Sequence, residues 1–148
     1  MSVLKSAAAA LITASILTGC IQAVEQLPTR PVKIISEHTM AFNAGDAAAM
    51  AKLQHPDIEW LSVNGNVISI EVAGRDALFQ NMTEYFASPT KITSTLRDWS
   101  LNPPYVSVTE IASWTAKDGS EKSQSSTTIY ELQDDLIRRV YYYPAVDR

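Results

Sequence analysis

Val32-Lys33-Ile34-Ile35-Ser36-Glu37-His38-Thr39-Met40-Ala41-Phe42-Asn43-Ala44-Gly45-Asp46 is the stretch on which the reading of the fold turns. Val32, Ile35, Thr39 and Phe42 recur at helical spacing, with Ile34 and His38 on the flanks of the same stripe. The spacing predicts a helix over Val32–Ala44. Gly45 suits the position just past a helix end, and Asp46 suits the cap of the next helix. That second helix is short and Ala-rich, Ala47–Leu53, anchored by Met50 and Leu53.

Downstream the period changes from helical to alternating. Asp57–Val63 and Val67–Val72 are β-rich runs joined by Asn64-Gly65-Asn66, a strong hairpin signal. Gly74-Arg75-Asp76 opens a third helix reaching Ala87, with Leu78, Met82, Tyr85 and Phe86 on its apolar face; Ser88-Pro89 stops it. Four long strands follow: Lys91–Leu101, Tyr105–Ala116, Lys122–Leu132 and Leu136–Tyr143. Their turns are Asn102-Pro103-Pro104, Lys117-Asp118-Gly119-Ser120 and Gln133-Asp134-Asp135. Helices gathered on one face of an antiparallel sheet make an α+β domain.

The other end of the chain reads differently. Lys5 precedes an apolar run, Ala7–Leu17, that is shorter than the ~20 residues a membrane-spanning helix needs. It matches the core of a secretory signal. The run ends in Leu17-Thr18-Gly19-Cys20, which resembles the lipobox of bacterial lipoproteins. That resemblance implies a signal peptide over residues 1–19 and a Cys20 that carries acyl chains into a lipid bilayer. Residues 20–31, with Pro28 and Pro31, read as a tether, and 32–148 as the domain. Ile21 after Cys20, in place of Asp, implies an outer-membrane lipoprotein facing the periplasm if the source is diderm.

Composition excludes several classes. The chain has 148 residues, a formal net charge of -4, and 46% hydrophobic and 19% charged residues. An acidic chain without clustered Lys and Arg offers no nucleic-acid surface. Cys20 is the single cysteine, so no intrachain disulfide and no Cys-rich metal site can form. There is no Gly-rich phosphate loop and no HExxH. His38 and His55 lie on different predicted elements without metal-ligand spacing. No cofactor and no metal is expected.

The order helix, helix, hairpin, helix, four strands resembles the nuclear transport factor 2-like superfamily, in its SnoaL-like and ketosteroid-isomerase-like branches. The residues that carry the likeness are Ala41-Phe42-Asn43-Ala44-Gly45-Asp46, His55-Pro56-Asp57-Ile58-Glu59-Trp60, Gly74-Arg75-Asp76-Ala77-Leu78 and Leu136–Pro144. The resemblance spans about residues 32–145. It implies a cone: a strongly curved sheet wrapped around three helices, with an internal pocket for small molecules and frequent dimerisation through the sheet. It places His38 where the isomerases have a Tyr donor, Ser62 near their carboxylate base, and Thr128 where they have a protonated Asp. None of the three supplies a carboxylate. The epoxide-hydrolase-like set of Asp, Arg and Asp is not met by Arg97-Asp98, whose side chains point to opposite faces of a strand.

The candidate pocket residues are therefore His38, Phe42, Trp60, Tyr85, Thr128, Tyr130 and Tyr142, with the catalytic residues unknown. Thr128, Tyr130 and Leu132 share one strand face, and so do Arg97, Trp99 and Leu101. Tyr142 must face opposite to Tyr141 and Tyr143, so one side of that strand lines the pocket and the other suits a homodimer contact. The expected function is binding of a small, mostly apolar molecule by a membrane-tethered envelope lipoprotein. The alternatives are an enzyme with an atypical site around His38 and a non-catalytic interaction module of the envelope.

Overall fold

The computed structural model describes residues 29–148; Cys20, the signal segment and the start of the tether lie outside the described residues. Ten elements follow one another: α1 (Thr29–Ala44), α2 (Ala47–Lys52), β1 (Gln54–Asn64), β2 (Val67–Ala73), α3 (Arg75–Ala87), β3 (Ile92–Asn102), β4 (Tyr105–Thr115), β5 (Glu121–Gln133), β6 (Leu136–Tyr142) and β7 (Val146–Asp147). α1 begins three residues before the expected Val32 and takes in Pro31. A proline is tolerated there because the first-turn N–H groups have no intrahelical partner. β1 begins at Gln54, ahead of the expected Asp57. β7 was not expected; it pairs with β5.

Local signals account for the joints. Gly45 sits at φ +70 past the end of α1, and a Cβ there would come within 3.7 Å of the Phe86 ring. The Asp46 side chain accepts from the Ala49 N–H at 2.8 Å and caps α2. Between β5 and β6, Asp134 and Asp135 both adopt positive φ, the pairing a tight two-residue hairpin requires. The Asp135 carboxylate then meets Arg30 in the first turn of α1 at 2.6 Å.

The sheet runs β2-β1-β6-β5-β4-β3. It is mixed, not purely antiparallel: β1 and β6 pair in parallel, Trp60 beside Val140 and Ser62 beside Tyr142. The chain reaches this arrangement because everything from α3 to β5 intervenes, long enough to bring β6 back in the same direction as β1. The three helices cover one face. Ile34, Ile35 and Ala41 of α1, Ala47 and Met50 of α2, and Leu78 and Met82 of α3 pack with Ile58, Val106, Val108, Tyr130, Ile137 and Val140 of the sheet. Burying such a set contributes about 25 cal/mol for each Å² of apolar surface removed from water.

One face assignment needs correction. Arg97 does not share a face with Trp99 and Leu101. The β3–β4 register breaks between Arg97 and Ser100, and Asp98 takes φ +53. This bulge inserts an extra residue and flips the alternation, so Leu96, Trp99 and Leu101 pack against the core while Arg97 is exposed.

The outer face carries an ionic row that the sequence reading did not anticipate. Glu59, Arg139 and Glu131 stand in register across β1, β6 and β5. Arg139 Nε donates to Glu59 at 2.6 Å and its Nη1 to Glu131 at 3.1 Å. Arg138 reaches Glu59 at 3.3 Å, and the Tyr141 hydroxyl donates to Glu131 at 3.2 Å. The hydrogen bond from Arg139 is the main reason the Glu59 carboxyl is held below its ordinary value. Tyr141 therefore faces outward, as the alternation demands, with Tyr142 inward.

Candidate functional site

The helices do not fill the concave face completely. Between the second half of α1 and the strands β1, β3, β4, β5 and β6 lies a cavity of about 180 Å³. Phe42, Met50, Trp60, Ile92, Ala112, Tyr130 and Tyr142 form most of its wall; His38, Thr39, Ser94 and Glu110 supply the polar groups. Trp60 and Tyr142 meet edge to face, ring centroids 5.6 Å apart, a geometry aromatic pairs favour.

Five of the seven expected pocket residues meet here: His38, Phe42, Trp60, Tyr130 and Tyr142. Thr128 is fully buried and reaches the cavity through a partner, donating to Glu110 Oε2 at 3.2 Å. Tyr85 is displaced from the expected position. Its ring stacks on Phe42 with centroids 6.0 Å apart, and with Phe86 it lines a neighbouring hollow at the end of α1. The α3 face that carries Tyr85 packs behind Phe42, so Phe42 stands between it and the main cavity. Ser62 is engaged elsewhere, donating to Glu71 on β2.

Glu110 is the residue the sequence reading missed. Along β4 the inward positions run Val106, Val108, Glu110, Ala112, the first two buried. A carboxylate in the buried phase of an apolar alternation was the available signal. Two hydroxyls hold it: Ser94 on β3 donates to Oε1 at 2.5 Å and Thr128 on β5 to Oε2 at 3.2 Å. Ser94 is itself fixed by Asn43 at the end of α1, whose Nδ2 donates to Ser94 O at 2.8 Å and whose Oδ1 accepts from Ser94 N at 2.7 Å. The Asn43-Ala44-Gly45 break thus ties the helix to the strand that orients the carboxylate.

Burial keeps His38, Tyr130 and Tyr142 uncharged. His38 is lowered to about 4 because its imidazolium would lie out of water. Its Nε2 lies 2.9 Å from Gln54 Nε2, both side chains being buried. Tyr130 and Tyr142 are raised, first by burial and then by neighbouring charge, the Glu110 carboxylate acting on both. Trp60 Nε1 is buried without a hydrogen-bond partner, as is the Tyr85 hydroxyl. Among the described residues no group of three or more His, Cys, Asp and Glu side chains is placed to hold a metal ion.

A family model described as a SnoaL-like domain matches residues 35–140, from α1 to β6. The chain belongs to the SnoaL-like family. The cone and its cavity are thus the SnoaL-like fold, of the nuclear transport factor 2-like kind. A Delta 5-3-ketosteroid isomerase from Mycobacterium sp. is similar with a TM-score of 0.63 at 17% identity, over 79% of this chain and 97% of that one. A Mycobacterium tuberculosis LEH-like epoxide hydrolase gives 0.64 at 10% identity, over 78% and 82%. A putative polyketide cyclase from Xanthomonas campestris gives 0.57 at 21% identity, over 78% and 90%. At these identities the likeness is one of fold. No curated protein matches the chain by sequence.

Proposed function

We propose that this SnoaL-like domain binds a small, mostly apolar molecule in the cone cavity. The observation that carries the reading is the lining: aromatic and aliphatic side chains around one carboxylate, the composition of a small-molecule site. A fragment set of small aromatic hydrocarbons and ketones, followed by methyl NMR, tests it. Binders should shift the methyl signals of Met50, Ile92 and Ala112, and Ala112→Phe should abolish the shifts while the protein stays folded. Shifts that survive Ala112→Phe place the ligand elsewhere, and a set with no binder removes the reading.

A second reading is favoured by Glu110. A carboxylate beside phenols that stay protonated is the set needed to move a proton next to a carbonyl. In this reading the domain is an isomerase- or cyclase-type enzyme centred on Glu110, and His38, neutral and buried, is not its base. Incorporation of deuterium from heavy water into the methyl group of acetophenone measures the step. Exchange equal in wild type and Glu110→Gln leaves binding alone.

We also propose that the domain is anchored in the bacterial envelope through acylated Cys20, in the outer membrane if the source is diderm. Leu17-Thr18-Gly19-Cys20 supports this. Mass spectrometry of membrane-extracted protein should find a mature chain starting at a lipid-modified Cys20; an unmodified chain beginning at Met1 rejects it. The outer sheet face, where Ile68 and Ile70 are more than half exposed, supports a homodimer. Sedimentation that gives a monomer at every concentration rejects that.

A further inference from the structure

Two hollows meet at Phe42. The main cavity lies on one side. On the other, a second hollow of about 170 Å³ runs between the end of α1, the end of α3 and the start of β3. Phe42 and Ile92 belong to the walls of both. Neither hollow alone reaches the roughly 300 Å³ at which small-molecule sites begin, and joined they do. Their charges are opposite: among the described residues, Glu110 is the one carboxylate of the main lining and Lys91 the one cation of the second. The Lys91 ammonium reaches the Phe86 carbonyl at 3.5 Å; with three N–H donors it can take an anion as well. Tyr85, on the same wall, has a hydroxyl that is buried without a hydrogen-bond partner. Orphaned buried polar groups are rare in folded proteins. Asn43 does not satisfy it, since both ends of its amide are taken by Ser94.

We propose that the two hollows form one site for an elongated anionic amphiphile, a medium-chain carboxylate, with its head at Lys91 and the Tyr85 hydroxyl and its tail in the main cavity, and that Phe42 is the divider that turns aside as the chain passes. The inference rests on the binding reading above; it names the ligand class and adds a compartment. The opposed charges set the direction. A carboxylate beside Glu110 meets a like charge in poorly hydrated surroundings, whereas beside Lys91 it meets an opposite charge at an exposed position. The apolar tail then lies against Ile92, Met50 and Trp60. Phe42 has a hollow on either side of it, so its ring has room to turn. Other rings pack it, Tyr85 stacked at 6.0 Å and Phe86 edge-on at 5.6 Å.

Methyl NMR of the purified chain with butyrate, hexanoate and octanoate at pH 7 tests it, with ethylbenzene as the probe of the main cavity alone. Octanoate should shift the methyl signals of Met50 and Ala112 in the main cavity together with those of Ala44 and Thr90 in the second hollow, whereas ethylbenzene should shift only the first pair. Affinity should climb from butyrate to octanoate by about fourfold for each added methylene, the gain of burying each one. Lys91→Met should weaken octanoate by about fivefold, the upper end for an ion pair at the surface, and leave methyl octanoate unchanged. Phe42→Ala should favour octanoate over ethylbenzene more strongly than the wild type does, and the chain-length series stands even where that variant fails to fold. A plateau at butyrate overturns the joining of the two hollows. Octanoate shifts confined to Met50 and Ala112, with no effect of Lys91→Met, overturn the second compartment. Ethylbenzene binding without octanoate binding overturns this inference and leaves the cavity reading intact; binding of no probe removes both.

Discussion

Replacing His38 by Gln should flatten the dependence of stability on pH between pH 7 and pH 4.5. The buried imidazole titrates at about 4 in the folded protein, against an ordinary value of 6.5. Below pH 6.5 the unfolded chain therefore binds a proton that the folded chain refuses. Stability must rise with pH across this window and fall as the solution is acidified. A shift of 2.5 units at 1.36 kcal/mol each amounts to roughly 3 kcal/mol in full, of which roughly 2 kcal/mol is lost by pH 5. Glu59 acts in the same direction but in a lower window. Its depressed carboxyl contributes stability above its ordinary value of 4.5, and that contribution is lost only as pH falls below it. The two groups therefore separate on the pH axis.

Urea unfolding at pH 7, 6 and 5 measures the effect. With a slope of about 1–3 kcal/mol per molar urea for a domain of this size, the wild-type midpoint should drop by about 1 M between pH 7 and pH 5. In His38→Gln most of that drop should vanish, because Gln keeps a polar partner for Gln54 and has no proton to take up. Parallel profiles for the two proteins, or a wild-type His38 ring signal titrating near 6.5, would refute the burial argument.

Two further perturbations address the scaffold. Asn43→Ala removes both hydrogen bonds to the Ser94 backbone and should cost about 2 kcal/mol, since it strands a donor and an acceptor at a buried residue; hydrogen exchange should show the Ser94 amide losing protection, and an unchanged exchange rate there counts against the clasp. Arg139→Leu leaves Glu59 and Glu131 facing each other without their shared cation and should cost roughly 1–2 kcal/mol, the side chains being only partly shielded from water. The loss should shrink in roughly 1 M salt, where charges are screened within about 3 Å.

The sequence made the helical half of the molecule readable. A helix stripe, a Gly break and an Asp cap are local devices, and each acts within a turn of where it is written. The hairpin at Asn64-Gly65-Asn66 and the buried pair Leu78 and Met82 follow the same rule. What stayed hidden depends on partners distant in the chain. Nothing near Trp60 says that its strand will lie parallel to β6. Nothing near Asp98 marks a bulge, because a positive φ is a response to the strand beside it. The site divides in the same way. His38, Phe42 and Tyr130 were found from periodicity, whereas Glu110 was passed over as one more charge on a long strand. Its meaning comes from Ser94 and Thr128, which the sheet brings up from either side.

The parallel pairing of β1 with β6 also sets an order of events in time. Trp60 and Tyr142 form one corner of the cavity, yet one comes from the first strand and the other from the last long one. Pairings between segments so far apart in sequence are the slow, late ones in folding. A chain emerging residue by residue can lay down α1, α2, the hairpin and α3, but the floor beneath Met50 and Phe42 stays open until β6 docks between β1 and β5. The cavity is thus a product of completion: a chain truncated before Leu136 would keep most of the named pocket residues and have no pocket.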